Sequence, residues 1–190
     1  MYVEMTDLEG FREAHHKVLE KHNLLGKVLI ASEGINGNVT GEEQDCIAYM
    51  QELHQDPRFK DMQFKLGTTE THNFRKRIVR IRNEIVTYKI EADMKDKAPY
   101  IEPQELKAEL DAGEEVVLID VRNRFEYKIG HFEGAVEAQM DVSSEWPEAV
   151  KELASKGLKD KKVVTYCTGG VRCEKATAYL KEQGFTKVRQ

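Results

Sequence analysis

The chain has 190 residues, 40% of them hydrophobic and 33% charged, and a formal net charge of −5 at pH 7. This balance is typical of a soluble globular protein and excludes a disordered or fibrous chain. The length allows one large domain or two small ones. The longest apolar runs, such as residues 116–119, are only a few residues long, which excludes a transmembrane helix.

Two further features of the composition predict a cytoplasmic protein. Residues 1–10 contain several acids and lack the apolar stretch of a signal peptide. The cysteines, Cys46, Cys167 and Cys173, are odd in number, which argues against a secreted fold built on disulfides. We therefore expect a cytoplasmic protein without a membrane partner.

Residues 1–92 predict a small α+β domain. A first helix begins after Asp7, a plausible N-cap, and carries one stripe of apolar and histidine side chains: Leu8, Phe11, His15, Val18, Leu19 and His22. Strands are predicted at residues 2–5, 27–31, 63–66 and 78–90. A capping box of Thr40 and Glu43 opens a second helix between them. This order of elements predicts a ferredoxin-like α+β fold.

Several side chains of this first domain are predicted to be structural. His15 and His22 are seven residues apart on the apolar stripe, which favours core histidines with hydrogen-bond partners. The second helix is predicted to bury an apolar set, namely Cys46, Ile47, Met50 and Leu53. A turn-rich segment, residues 33–38, follows the 27–31 strand.

The polar segment 93–100 is predicted to be a linker, and the pattern changes after it. Pro103 starts a helix that Gly113 ends. Residues 116–119 and 163–166 are continuous apolar, β-branched runs, which is typical of strands buried on both faces. Strands that alternate with helices predict an α/β domain with a parallel sheet at residues 101–190, whose site lies at the carboxyl ends of the strands.

Cys167 lies at such a strand end, in the loop that precedes the last helix. The loop residues after it are Thr168, Gly169, Gly170, Val171 and Arg172. The two glycines allow backbone N–H groups to point at the sulfur, and the helix start adds positive potential. We expect these groups, with the fixed positive charge of Arg172, to lower the thiol pKa and make Cys167 a nucleophile.

The loop spacing also limits what Cys167 can bind. Cysteine and arginine are separated by four residues, one fewer than in the phosphate loop of cysteine phosphatases. A phosphate is therefore a poor fit, and a single sulfur or another small group fits better.

Other candidate residues lie around this loop. Cys173 is either a redox partner that closes a disulfide with an oxidised Cys167 or a small packing residue. Asp120 and Arg122, two residues apart at a strand end, are predicted to form a structural ion pair. His131 is predicted to fix a turn by a hydrogen bond. No cluster of histidine, cysteine and carboxylate side chains has metal-ligand spacing, so the sequence predicts no metal site.

A basic run lies near the end of the first domain. Residues 72–83 contain no acid and five cations: Arg75, Lys76, Arg77, Arg80 and Arg82. Such a run has two interpretations, a solvated edge strand or a nucleic-acid surface. The absence of acids and the neighbouring Phe74 favour nucleic acid.

The second domain resembles the rhodanese domain throughout residues 101–190. The resemblance is carried by the segment Leu118-Ile119-Asp120-Val121-Arg122, by Glu126-Tyr127, by Gly130-His131-Phe132-Glu133-Gly134-Ala135 and by the Cys167 loop. Rhodaneses carry sulfur as a persulfide on that loop cysteine.

The whole chain is similar to the tRNA uridine hydroxylase family. Three segments carry this likeness: Glu33-Gly34-Ile35-Asn36-Gly37, residues 74–87, and the loop variant at residues 167–175. The resemblance implies a ferredoxin-like domain joined to a rhodanese domain, and oxygen-dependent 5-hydroxylation of the wobble uridine of tRNA with Cys167 essential. It implies tRNA as partner and molecular oxygen as co-substrate, and no bound cofactor is identified.

Two expectations qualify this resemblance. A rhodanese domain would still need a closing turn and helix after Gln190, so we expect a chain that is truncated at its carboxyl end. The residues alone also leave two other functions open, a plain sulfurtransferase and a non-catalytic tRNA-binding module. Neither the oligomeric state nor the role of residues 33–37 follows from the sequence.

Overall fold

The computed structural model describes all residues, 1–190, and divides into two compact units, Met1–Ile85 and Val86–Gln190. The sequence places this division later, with a linker at residues 93–100. In the structure that segment packs onto the second unit, where Ala98 is buried and its N–H donates to the Thr177 hydroxyl at 3.1 Å. No helix in the structure combines the length and apolar character that a membrane span requires.

The first unit is a three-stranded sheet with two helices. Its elements are α1 (Leu8–Lys21), β1 (Leu25–Ala31), β2 (Gly34–Thr40), α2 (Glu43–His54) and β3 (Arg77–Ile81). The order in the sheet is β2-β1-β3, with β1 antiparallel to β2 and parallel to β3. The core includes Leu19, Leu24, Ile30 and Phe59, all fully buried. As predicted, the Asp7 side chain caps α1 by accepting from the Gly10 N–H at 3.0 Å.

Two predicted strands of this unit do not form as regular strands. The segment at residues 2–5 makes irregular backbone contacts, in which the Val3 N–H donates to the Glu33 carbonyl and the Ile35 N–H donates to the Met1 carbonyl, both at 3.0 Å. Residues 63–66 are irregular. The prediction of a strand at 63–66 is therefore wrong, and the first strand is reduced to a single bridge between Tyr2 and Gly34.

The predicted strand at residues 78–90 is also too long, because β3 ends at Ile81. Two side chains, one just before β2 and one inside it, form hydrogen bonds with the backbone of Ile85. The Glu33 carboxylate accepts from its N–H at 2.8 Å, and the Asn36 amide donates to its carbonyl at 3.1 Å. Farther along, Lys89 has a φ of 53°, a left-handed conformation that a strand cannot contain. The segment 33–37 thus has a structural role as a clamp on Ile85.

The start of α2 differs from the predicted capping box. Thr40 is the last residue of β2, and the helix begins at Glu43 with Glu42 at the N-cap and no side-chain cap bond. The Thr40 hydroxyl is near the His72 ring instead, with 3.4 Å between Oγ1 and Nδ1. The strand ladder and this tertiary contact outweigh the local capping signal.

The side chains that α1 and α2 turn toward the core are largely those predicted from the sequence. His15 is buried, its Nε2 lies 3.1 Å from the Tyr49 hydroxyl, and burial lowers its pKa to about 4. His22 Nε2 lies 2.6 Å from a Glu52 carboxylate oxygen. Cys46 is only half-buried and Ile47 is 43% exposed, so their predicted burial is incomplete.

The second unit is an α/β domain with a parallel sheet, as predicted. Its elements are α3 (Pro103–Asp111), β4 (Val116–Asp120), α4 (Arg124–Ile129), β5 (Val136–Glu137), α5 (Trp146–Ser155), β6 (Lys162–Tyr166), α6 (Val171–Glu182) and β7 (Lys187–Arg189). All strands are parallel in the order β5-β4-β6-β7. The central pair β4 and β6 places Asp120 opposite Tyr166 at their carboxyl ends. Cys167 follows directly.

Candidate active site

The Cys167 loop joins β6 to α6 in the second unit. The strand ends at Tyr166 and the helix begins at Val171, so four residues make the connection. Gly170 has a φ of +88°, a left-handed conformation in which a side chain is strained. This conformation turns the Gly170 N–H back onto the Cys167 sulfur, with 3.0 Å between N and Sγ.

These contacts hold Cys167 as a thiolate. Its pKa is lowered to about 5, mainly because the Cys173 thiol donates a hydrogen bond to it, with further help from the N–H groups of Cys173 and Gly170. Cys173 is the third residue of α6, so its N–H is one of the free amides of a helix start. At neutral pH the sulfur is therefore charged and nucleophilic.

The predicted electrostatic effect of Arg172 on Cys167 is present, but it is small. The guanidinium is paired with Glu126 in a fork, with both N–O distances 2.7 Å, and contributes least among the groups that lower the Cys167 pKa. Arg172 also holds the pKa of Glu126 at about 2. The Thr168 hydroxyl donates to the same carboxylate at 3.3 Å. Glu126 thus anchors both ends of the loop, a role that its sequence position did not reveal.

Cys173 is buried and adjacent to the thiolate. Its pKa is raised well above the ordinary value, first because it donates its hydrogen bond to Cys167 and then because of burial. A protonated thiol thus lies beside a charged one. This arrangement is compatible with both packing and redox chemistry, so its redox role stays a prediction.

Asp120 and Arg122 form the predicted ion pair. The carboxylate is fully buried and accepts from the Arg122 Nε at 2.9 Å and from a terminal nitrogen at 2.6 Å. The same guanidinium donates to the Gly130 carbonyl at 2.6 Å. The pair therefore fixes the segment that leads from α4 to the next turn.

His131 fixes the turn after α4, as predicted. Its Nδ1 lies 2.9 Å from the Tyr127 carbonyl, and its ring stacks on the Tyr127 ring with centroids 3.7 Å apart. The Tyr127 hydroxyl in turn donates to the Ala135 carbonyl at 2.9 Å. These bonds leave the turn little freedom.

A pocket of about 300 Å³ opens beside the thiolate. Its lining residues are Arg122, Gly130, His131, Phe132, Tyr166 and Cys167. The Phe132 ring meets the Tyr166 ring edge-on, with centroids 4.7 Å apart, and the Phe132 N–H donates to the Tyr166 hydroxyl at 3.2 Å. Sequence reasoning missed both aromatic walls, although their positions beside the Cys167 and His131 motifs could have indicated them. The site is a nucleophile in an aromatic pocket.

The basic run lies in the first unit, on β3 and in the residues that flank it, and β3 is an edge strand of its sheet. Four of the five cations are exposed: Arg75, Lys76, Arg80 and Arg82. Arg77 is half-buried and its Nε has no hydrogen-bond partner. The location suits both earlier interpretations, a charged edge strand and a nucleic-acid surface.

Comparison with known proteins identifies both units. Residues 1–85 match the UPF0176 acylphosphatase-like domain, in agreement with the predicted ferredoxin-like fold, and residues 102–190 match the rhodanese-like domain. Among solved structures, the rhodanese-like domain of an Anabaena protein has a TM-score of 0.42 and 27% identity, over 48% of this chain and 65% of that one.

Relatives that match the whole of this chain share one name. A Cytophaga hutchinsonii protein named tRNA uridine(34) hydroxylase is 44% identical over all of this chain and 60% of its own length. A Bacillus licheniformis protein of the same name is 41% identical over all of this chain and 59% of its own length. The chain thus spans about 60% of the length of these relatives. Over its whole length the chain is therefore similar to proteins named tRNA uridine(34) hydroxylase.

Proposed function

We propose that this protein hydroxylates carbon 5 of the wobble uridine of tRNA, with Cys167 as the essential nucleophile and molecular oxygen as co-substrate. The observation that carries the proposal is the Cys167 thiolate at the wall of an aromatic pocket. Enzymes that modify a base take it out of the stack and stack it on aromatic side chains, and the Phe132 and Tyr166 rings line this pocket.

The chemistry follows from the electronic structure of uracil. Carbon 6 of the ring is electrophilic, and addition of the Cys167 thiolate there shifts electron density to carbon 5. Carbon 5 then takes one atom of oxygen, and the other atom leaves as water with two electrons and two protons. Because Cys167 is bonded to carbon 6 at this stage, the Cys173 thiol takes the second oxygen atom as a sulfenic acid. After its release from carbon 6, Cys167 displaces that oxygen as water by closing a disulfide with Cys173, and external thiols reduce the disulfide. Loss of the carbon 5 proton and of the thiolate restores the ring double bond.

A sulfurtransferase is the second candidate, because the second unit matches the rhodanese-like domain and the same thiolate can accept sulfur. In that case Cys167 attacks the outer sulfur of thiosulfate, which releases sulfite and leaves a persulfide, and cyanide then takes this sulfur as thiocyanate and frees the thiolate. This function uses only the Cys167 loop and leaves the first unit without a role.

Mass spectrometry of tRNA nucleosides separates the two functions. We compare cells that carry the wild-type gene, the Cys167→Ala variant or no gene. Hydroxylation predicts that uridine with one additional oxygen is present only with the wild type. Loss of a 2-thiolated nucleoside in the variant, with hydroxylated uridine unchanged, would assign sulfur transfer instead.

The exposed cations of the basic run give a second prediction. We expect the combined change of Arg75, Lys76 and Arg80 to alanine to weaken tRNA binding and to reduce the slope of log K against log salt by about 2–3, because each lost phosphate contact removes about 0.7–0.9. A filter-binding titration at several salt concentrations measures this slope.

The matched control removes three exposed cations elsewhere in the first unit, Lys17, Lys60 and Lys65. It changes the net charge equally and should retain most of the wild-type slope. Equal slopes in both variants would show that the basic run is only a solvated edge strand.

A further inference from the structure

The short helix α4 carries an apolar surface that no protein contact explains. Phe125 is 61% exposed and Ile129 is 83% exposed, and α4 contains no buried residue. Residues four apart lie on one face of a helix, so the two side chains are neighbours. Lys128, also exposed, lies on the same side. Large exposed apolar side chains in a cluster mark an interaction surface.

This surface adjoins, along the chain, residues that line the pocket beside Cys167. Ile129 directly precedes Gly130, His131 and Phe132, which line the pocket. Phe132 is itself 54% exposed, so its ring belongs both to the pocket wall and to the outer surface. Phe132 is therefore the exposed apolar side chain that links α4 to the pocket.

The backbone beneath the surface is held rigidly. The N-cap Asn123 and Glu126 form a capping box at the start of α4, and Glu126 is tied to Arg172. At its end, the Arg122 guanidinium donates to the Gly130 carbonyl. Phe125 and Ile129 are thus exposed on a fixed frame, and such pre-organised apolar groups lose little entropy when a ligand covers them.

We propose that Phe125, Ile129 and Phe132 form a stacking platform for the unpaired bases that flank the modified nucleotide in the tRNA anticodon loop. This inference rests on the proposed function. A base that enters the pocket leaves the stack, so its neighbours lose a stacking partner beside the pocket entrance. Exposed aromatic rings take up such bases irrespective of sequence, and Lys128 is available for an adjacent phosphate.

The test uses an anticodon stem-loop RNA with 2-aminopurine next to the target uridine, because stacking quenches its fluorescence. We expect Phe125→Ala and Ile129→Ala to weaken RNA binding, Phe125→Ala by about tenfold, and to reduce the quenching. Phe125→Tyr keeps the ring and should restore both. Leu110→Ala, which removes an exposed apolar side chain of α3, should behave as the wild type.

The outcomes separate this inference from the hydroxylase proposal. If Phe125→Ala retains the wild-type affinity and quenching while the wild type forms hydroxyuridine, the platform is rejected and the proposed function stands. If Phe125→Ala weakens RNA binding but neither the wild type nor the variant forms hydroxyuridine, the platform stands as an RNA surface and hydroxylation is rejected. If the variants change only self-association in sedimentation, the surface is a protein interface and the inference fails.

Discussion

At about pH 6, iodoacetamide should label Cys167 while Cys46 stays almost unmodified, because alkylation requires the thiolate. The pKa of Cys167 is lowered to about 5, first by the Cys173 thiol, whereas burial raises the pKa of Cys46 above its ordinary value. Labelling of Cys167 should therefore reach its plateau below neutral pH, and that of Cys46 should still rise in alkaline buffer. The readout is the pH of half-maximal rate, since a thiolate of low pKa is also a weaker nucleophile.

Two variants identify the cause of the low pKa. Cys173→Ala removes the hydrogen bond that contributes most and should move the half-maximal pH of Cys167 upwards. Cys173→Ser keeps a donor at the same position and should move it less. A wild-type Cys167 that titrates near the ordinary thiol value of about 8.5 would refute the thiolate site.

The second large effect concerns stability. Arg122→Ala should lower the free energy of unfolding of the second unit by about 3–5 kcal/mol, because it leaves the fully buried Asp120 carboxylate without its charged partner. Trp146, the single tryptophan of the chain, is buried in the core of this unit, so its fluorescence during denaturant unfolding reports this unit specifically.

An exposed ion pair of the same unit provides the control. Lys107 and Asp111 are 2.7 Å apart on α3, with side chains 75% and 64% exposed. Lys107→Ala should cost less than about 1 kcal/mol, as exposed pairs do. If Arg122→Ala is equally mild, then Asp120 does not depend on that ion pair.

The second unit was the easier one to predict from sequence. The runs at 116–119 and 163–166 are apolar on both faces, and only a strand covered on both sides of a parallel sheet satisfies that pattern. Asp120 and Arg122 are two residues apart, so their pairing is local. The position of Cys167 follows from the same pattern, because the loop after a parallel strand lies at the edge where sites form.

The missed features depend on contacts between distant segments. Glu126 and Arg172 are 46 residues apart, so the partner that neutralises Arg172 was not visible in the loop motif. The clamp of Glu33 and Asn36 on Ile85 ends the extended segment after β3, although its residues favour a strand. Local propensity could predict neither contact, since each is a tertiary hydrogen bond.

The most direct test of the central claim follows the source of the new oxygen. Purified protein is incubated with unmodified tRNA and a thiol reductant under ¹⁸O₂, and the nucleosides are analysed by mass spectrometry. We expect hydroxyuridine that carries the ¹⁸O label with the wild type, and none with Cys167→Ser. Unlabelled hydroxyuridine, or labelled product from Cys167→Ser in wild-type amount, would contradict it.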